Sequence, residues 1–231
     1  MKVIILITTY NRPDLLLDLL KDIKSQFRCQ YRIKIYNDCS EDDYGRVEQY
    51  LEENIEDYAY TRLPSRYGKP LYWKLINKIY DELKTERGNY IIQLPDDIRL
   101  TDMFYPRVIE QYKDCDADAL NIMVNVAHNE QYTRDKKKTY QGKKAKYWEV
   151  SWLDGCFITN TDLFKRIRYS IPSISTKNTA NKRKSSKVGW LITNKCRRHG
   201  IKIRMVQRSL VEHKGEESRM RPNYKHIASY I

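Results

Sequence analysis

The sequence predicts an α/β protein with a mostly parallel, Rossmann-like sheet and helices on both faces. Three observations lead there. Val3-Ile-Ile-Leu-Ile7 is an unbroken aliphatic run, as a strand buried on both faces requires. Strand-like and helix-like segments alternate four times before residue 115, the pattern of right-handed crossover units. Polar and acidic residues stand at the carboxyl ends of successive strands, where open α/β sheets bind ligands.

The elements follow in order. After Ile7 the chain turns polar from Thr8 to Pro13, and Pro13 suits the first turn of a helix. Leu15, Leu16, Leu19, Leu20, Ile23 and Phe27 then recur at helical spacing. Ile33 to Tyr36 reads as a second strand, closed by the polar turn Asn37-Asp38-Cys39-Ser40. A charged helix over Tyr44 to Asn54 precedes a strand near Tyr58 to Arg62. Leu75, Ile76, Ile79 and Leu83 mark a helix ending near Gly88, and Tyr90 to Leu94 is a strand running into Pro95-Asp96-Asp97.

Beyond Asn125 the pattern loosens. Arg134 to Lys146 carries seven basic residues and one acid without apolar periodicity, and Ser173 to Ser186 is polar and basic, so both read as mobile loops. Tyr147 to Trp152 and Cys156 to Thr159 read as extended, and Thr161 to Ile167 as a short helix. Val188, Leu191, Ile192, Cys196 and His199 form a helical stripe stopped by Gly200. Ile201 to Val206 is the last expected strand, followed by a polar tail.

A chain of 231 residues that is 41% hydrophobic can bury the core of one domain, here spanning residues 1–231. Its longest apolar run, Val3 to Ile7, is too short for a membrane helix or a signal peptide. The expectation is therefore a cytoplasmic protein, soluble or peripherally attached to membrane. Five scattered cysteines without a Cys-x-x-Cys argue against a disulfide framework, and Cys196 with His199 reads as a packed pair on one helix rather than as a metal site. The net charge of +13 is unevenly divided. Residues 1–133 hold 18 basic and 23 acidic side chains, whereas residues 134–231 hold 25 and 7. A basic half attracts polyanions: nucleic acid, anionic membrane or a phosphorylated small molecule.

Neither Gly-x-Gly-x-x-Gly nor Gly-x4-Gly-Lys-Ser/Thr follows the first strand. Any nucleotide must then be held by side chains and a metal. Adjacent carboxylates at Asp96 and Asp97 repel each other, and a hard divalent cation bridging to phosphate relieves that. The plainer alternative is a solvated Pro-Asp-Asp turn.

Ile5-Leu-Ile-Thr-Thr-Tyr-Asn-Arg-Pro13 closely resembles the opening of family 2 glycosyltransferases and their relatives with the GT-A fold. Asn37 to Ser40 resembles that family's second nucleotide-binding turn, and Tyr90 to Ile98 the strand into its Asp-x-Asp-type motif, with Pro95 in place of the first acid. Trp152-Leu-Asp-Gly-Cys-Phe157 resembles the acceptor-side segment. Arg198 to Ile203 and Val211 to Gly215 resemble the closing helix-strand unit and its metal-site histidine. Small enzymes of this build also occur in large DNA viruses that glycosylate their own capsids, which this Lys- and Tyr-rich chain resembles, so the gene is a candidate viral one.

The resemblance implies a GT-A sheet with a smaller mixed acceptor-side sheet, a nucleotide-sugar half over residues 1–115 and an acceptor half over 116–231. Thr9, Tyr10 and Arg12 would line the nucleotide pocket, Asp38 would bond the base, and Asp96 the ribose. Asp97 and His213 would bind Mn2+ or Mg2+. Lys69, beside Gly68, would approach base or phosphates, although a lone lysine or histidine can also simply be solvated. The implied donor is a UDP- or GDP-sugar, and the acceptor is a hydroxyl of a glycan or similar molecule.

The chain departs from the family twice. Tyr72 and Lys74 stand where an Ala-x-Asn pattern is expected, and the acidic pair near the start of the last helix is replaced by Lys187, Val188 and Gly189. A base must therefore come from elsewhere. Between Lys136 and Lys187 the acids are Glu149, Asp154 and Asp162. Asp162 suits the first turn of a helix and Glu149 lies within a strand, which leaves Asp154 in its turn before Gly155. An ordinary Asp-Gly hairpin turn is the alternative there. A sugar nucleotidyltransferase is the nearest rival enzyme. A basic nucleic-acid-binding module is the rival from another class, disfavoured because no binding motif is present. The two basic loops would close over donor or acceptor.

Overall fold

A computed structural model describes residues 2–124, 138–153, 155–175, 186–214, 217–218 and 221–225. Its centre is a nine-stranded sheet. Strands β1 (Lys2–Thr9), β2 (Gln30–Asn37), β3 (Tyr58–Arg62) and β4 (Tyr90–Pro95) form the parallel part in the order β3-β2-β1-β4. Beyond β4 come β9 (Phe157–Thr159), β6 (Ala119–Asn121), β10 (Ile203–Val206), β8 (Lys146–Glu149) and β7 (Thr139–Gln141). Strand β9 runs antiparallel to both β4 and β6, while β10 runs parallel to β6, so β4, β6 and β10 point the same way.

Helices cover both faces. On one lie α1 (Pro13–Gln26), α2 (Gly45–Asn54) and α4 (Phe104–Asp114), packing Leu16, Leu19, Leu20, Val47, Leu51 and Phe104 against Val3, Ile5 and Ile7. On the other lie α3 (Gly68–Glu82), α5 (Thr161–Arg166) and α6 (Val188–Arg198), whose Leu75, Ile79, Phe164, Leu191 and Ile192 meet Ile4 and Leu6. Alternate residues of β1 thus feed opposite cores, which explains why its sequence is apolar throughout. Pro13 occupies the first turn of α1, as expected, and Gly200, at φ 59°, ends the turn after α6. Cys196 is buried within α6 among apolar neighbours, in agreement with its reading as a packing residue.

Two expectations need correction. The described part of the Arg134 to Lys146 segment is a hairpin, with β7 paired to β8 around residues 142–145. Two distant groups build it. The Asp114 carboxylate accepts backbone N–H groups of Lys143 (2.7 Å) and Ala145 (3.1 Å) and the Tyr147 hydroxyl (3.0 Å). The Arg204 guanidinium lies 3.4 Å from the Tyr140 ring centroid. Neither partner is visible to local periodicity. The polar tail after Val206 also carries structure, since β11 (Val211–His213) pairs with β5 (Ile98–Leu100). A further pair, β12 (Glu217–Ser218) and β13 (Arg221–Lys225), follows. Residues 134–137 and 176–185, the remainder of the two expected loops, lie outside the described residues, as does Asp154.

Among the described residues no helix is long and apolar enough to cross a membrane.

Candidate active site

The parallel strands end level with one another. Thr9 pairs with Asn37, Asn37 with Arg62, and Thr8 with Pro95, so the segments after β1, β2 and β4 open into one crevice. Two of the connecting turns are stapled together. The Asn11 N–H donates to Ser40 Oγ (2.9 Å), and Asn11 Oδ1 accepts the Glu41 N–H (2.9 Å). Asn11 and Cys39 both have positive φ, at 50° and 56°, the left-handed conformation that a tight turn imposes. Asn37 is fully buried and serves the frame, with Oδ1 accepting the Ser40 N–H (2.8 Å) and Nδ2 donating to Tyr60 (2.7 Å).

Arg12, just before α1, is 9% exposed, and its Nη1 donates to Asp97 Oδ2 and, at 3.3 Å, to Asp96 Oδ1. His213 Nε2 lies 3.3 Å from the same Asp97 oxygen. The β5–β11 pairing brings it there, setting His213 opposite Ile98, next to the Asp96-Asp97 turn. Strand β5 is itself anchored to α1. Arg99 grips Asp22 through Nε (2.6 Å) and Nη2 (2.7 Å) and reaches Asp18 through Nη1 (3.2 Å).

The two carboxylates are driven apart in acidity. Burial and the adjacent Asp97 charge push Asp96 up to about 7, against the opposing pull of Arg12 and Thr9. Burial alone would raise Asp97 as well, but His213 and Arg12 overcome it and hold that carboxyl at about 2. Asp96 Oδ2 is buried with no hydrogen-bond partner among the described residues.

Asp38 has both oxygens engaged, Oδ1 with the Tyr67 N–H (2.7 Å) and Oδ2 with the Gly68 N–H (2.8 Å). It therefore caps the start of α3 from across the sheet and fixes Lys69, the next residue, at the crevice. Gly68 has φ +52°, a conformation in which a side chain would be strained. Burial pushes the Asp38 carboxyl above its ordinary range, partly offset by those two N–H groups. Tyr10 stacks under the Arg66 guanidinium, 3.9 Å from its ring centroid.

Sequence reasoning missed three residues. Tyr44 is 1% exposed, and its hydroxyl bonds Thr9 Oγ1 (2.8 Å), the Arg12 N–H (3.1 Å) and Ser40 Oγ (3.3 Å). Tyr72 shares a hydrogen bond with Thr8 Oγ1 (3.0 Å), and its phenol is pushed up to about 12 by burial and by Asp96, Asp38 and Asp97. The residue that broke the family pattern thus reaches the site from α3. Arg66 is the third. None of the three has a local signature in a single sequence.

The site brings together Thr9, Arg12, Asp96, Asp97 and His213, with Tyr10, Asp38 and Lys69 around them. A carboxylate oxygen and an imidazole nitrogen that converge within 3.3 Å suit one hard divalent cation. Among the described residues no group of three or more His, Cys, Asp or Glu side chains could hold a metal alone. The remaining ligands would have to be phosphate oxygens and water, the usual arrangement for Mg2+ in nucleotide sites.

Comparison with known proteins gives the family and the fold. The family model described as glycosyl transferase family 2 matches residues 4–189. The chain is similar in structure to S. aureus TarS 1–349 in complex with UDP-GlcNAc, with a TM-score of 0.64 at 18% identity over 95% of this chain and 60% of that one. It is also similar to the mannosyltransferase PcManGT from Pyrobaculum calidifontis in complex with GDP-Man and Mn2+ (TM-score 0.59, 14% identity, 87% of this chain and 53% of that one). GalNAc-T7 with UDP, GalNAc and Mn2+ gives 0.64 at 12% identity over 92% and 43%. The chain spans about three fifths or less of the length of these structures. No curated protein matches the sequence.

Proposed function

We propose that this chain, which belongs to glycosyl transferase family 2, transfers a sugar from a nucleoside-diphosphate sugar to a hydroxyl of a glycan or similar acceptor, with inversion. The observation that carries the reading is the convergence of Arg12, Asp96, Asp97 and His213 at the crevice, with one buried Asp96 oxygen unpartnered among the described residues. Residues 1–115 form the donor half and 116–231 the acceptor half. UDP-GlcNAc in one structural neighbour and GDP-Man in another support a UDP- or GDP-linked donor without choosing between them.

Thr9, Tyr10, Arg12, Asp38 and Lys69 hold the nucleotide, and Asp96 Oδ2 accepts a ribose hydroxyl. Asp97 and His213 would hold Mn2+ or Mg2+, which when bound would supply positive charge to the departing diphosphate. An acceptor oxygen attacks the anomeric carbon, the bond from that carbon to the diphosphate oxygen breaks, and the electron pair leaves with the nucleoside diphosphate. The proton from the acceptor hydroxyl passes to a carboxylate, for which we propose Asp154. The basic balance of residues 134–231 supports an anionic partner for the acceptor half, an acidic glycan or a membrane surface.

Calorimetry with UDP and GDP, with and without Mn2+, tests the donor side. Metal-dependent binding that Asp97→Asn abolishes is the expected result, and binding indifferent to both changes would remove Asp97 from the metal shell. A panel of nucleotide sugars scored for metal-dependent hydrolysis identifies the donor. Pyrophosphate release from a nucleoside triphosphate and a sugar phosphate would point to nucleotidyl transfer instead.

A further inference from the structure

Two large apolar side chains stand mostly in solvent among the described residues, Met103 and Trp190, and Trp190 is 61% exposed. Isolated exposed apolar residues are common, so position decides whether this one matters. Helix α6 leads through Gly200 into β10, which runs parallel to β6 and in the direction of β4. Its first turn therefore sits at the carboxyl-end side of the sheet, the side of the crevice. Strand β9 is antiparallel to β4 with Phe157 opposite Gln93, so the residues before Phe157 pass beyond Gln93 toward the Asp96-Asp97 turn. The first turns of α6 lean on that segment. The Leu153 N–H donates to Thr193 Oγ1 (2.9 Å), and a Cβ at Gly189 would stand 3.6 Å from the Leu153 carbonyl oxygen.

Val188, Leu191, Ile192 and Cys196 form the buried stripe of α6, so position 190 faces the other way. The first turn of α6 thus carries Trp190, its indole exposed, at the crevice side of the sheet, on the β9 side of β4. The residues assigned to the nucleotide lie on the β1 and β2 side. A flat indole at such a rim matches the apolar C–H face of a pyranose ring, since stacking removes both surfaces from water while the sugar hydroxyls stay hydrated.

We infer that Trp190 is a positioning residue for the acceptor, a platform on which one of its sugar rings stacks. The inference rests on the glycosyl-transfer reading and adds the class of acceptor: a molecule presenting a pyranose ring next to the reacting hydroxyl.

The test uses the full chain as wild type, Trp190→Ala and Trp190→Phe. Calorimetry with UDP and GDP in Mn2+ should give the same affinity in all three. Tryptophan fluorescence is titrated with chitobiose, cellobiose, lactose and maltose. At least one of them should change the wild-type signal and leave Trp190→Ala unaffected. With that saccharide as acceptor, Trp190→Ala should raise acceptor KM about tenfold, the size of one lost ring contact, leave donor hydrolysis unchanged, and be rescued by Trp190→Phe. A saccharide response that survives in Trp190→Ala overturns the inference, and so does the lack of any wild-type response. Silence of the nucleotide arm in all three proteins would instead count against the glycosyl-transfer reading, while the saccharide arm still decides Trp190.

Discussion

Arg12 Nη1 donates to Asp97 Oδ2 and to Asp96 Oδ1 across 85 and 84 residues of sequence, so the residue that opens α1 neutralises the carboxylate pair that ends β4. The guanidinium is buried, as are both carboxylates. It supplies positive charge that a divalent cation would otherwise provide.

Replacing Arg12 by Gln removes that compensation and leaves two adjacent buried acids facing each other. Breaking a buried pair in this way costs about 3–5 kcal/mol. Mn2+ should return part of the loss, and should stabilise Arg12→Gln more than wild type, because the metal no longer competes with a fixed cation for Asp97. Thermal melts with and without Mn2+ check this. Equal stabilisation of the two proteins would mean that Arg12 and the metal do not share an oxygen.

The acidity of Asp96 sets a pH dependence. Its carboxyl is raised by burial and by Asp97 to about 7, so the folded protein holds a proton that the unfolded chain has already released. Stability from this group is complete below the unfolded carboxyl range, about pH 4, and is lost as pH rises toward 7. Wild type should therefore lose stability relative to Asp96→Asn between those limits, measured as urea midpoints over a pH series. Parallel profiles for the two proteins would refute the weakened acidity of Asp96.

Tyr44→Phe deletes one oxygen that joins Thr9, the Arg12 backbone and Ser40. Their polar groups are left buried without that partner, at a cost of about 1–3 kcal/mol. Because the same hydroxyl fixes the turn carrying Tyr10 and Arg12, UDP affinity should fall together with stability. Urea midpoints and calorimetry on one preparation measure both, and a stability loss with unchanged nucleotide binding would make Tyr44 a framework residue only.

The parallel half was legible because β1 must be apolar on both faces and because each strand end changes abruptly to Thr, Asn or Asp. The Arg12–Asp97 contact was not legible, although both residues were singled out, since nothing local states that a β1 turn and a β4 turn end level. That follows from the register Thr8 to Pro95, a property of the folded sheet. Strand β11 was hidden for a related reason. It has three residues, and its partner Ile98–Leu100 lies more than a hundred positions earlier, so no periodicity announces it. The sequence pattern places Tyr44 at the start of a helix, and it stands directly before α2, but no pattern announces that its hydroxyl bonds Thr9 inside the site.

The proton acceptor gives the last prediction, and topology narrows it. Of the acids between Lys136 and Lys187, Asp162 sits in the first turn of α5, after Thr159 has carried β9 back opposite Ile91, well inside β4 and away from its carboxyl end. It also pairs with Lys165 at 3.2 Å. Glu149 is opposite Arg204 near the start of β10, at the same remote edge of the sheet. Both are too far round the fold to meet an acceptor beside Asp97. The neighbours of Asp154 are differently placed. Leu153 is tied to Thr193 in α6, and Trp152 receives the Asn121 side chain on its carbonyl (2.9 Å), both at the crevice side. Asp154, next in sequence to Leu153, is therefore the acid we propose as the base. Asp154→Asn keeps the size and removes the base, so turnover should fall about 10²–10⁴-fold, while UDP affinity stays as in wild type. Glu149→Gln and Asp162→Asn should transfer normally. Near-normal transfer by Asp154→Asn would end the assignment, and loss of transfer in Glu149→Gln would show that the acceptor approaches from the β8 side instead.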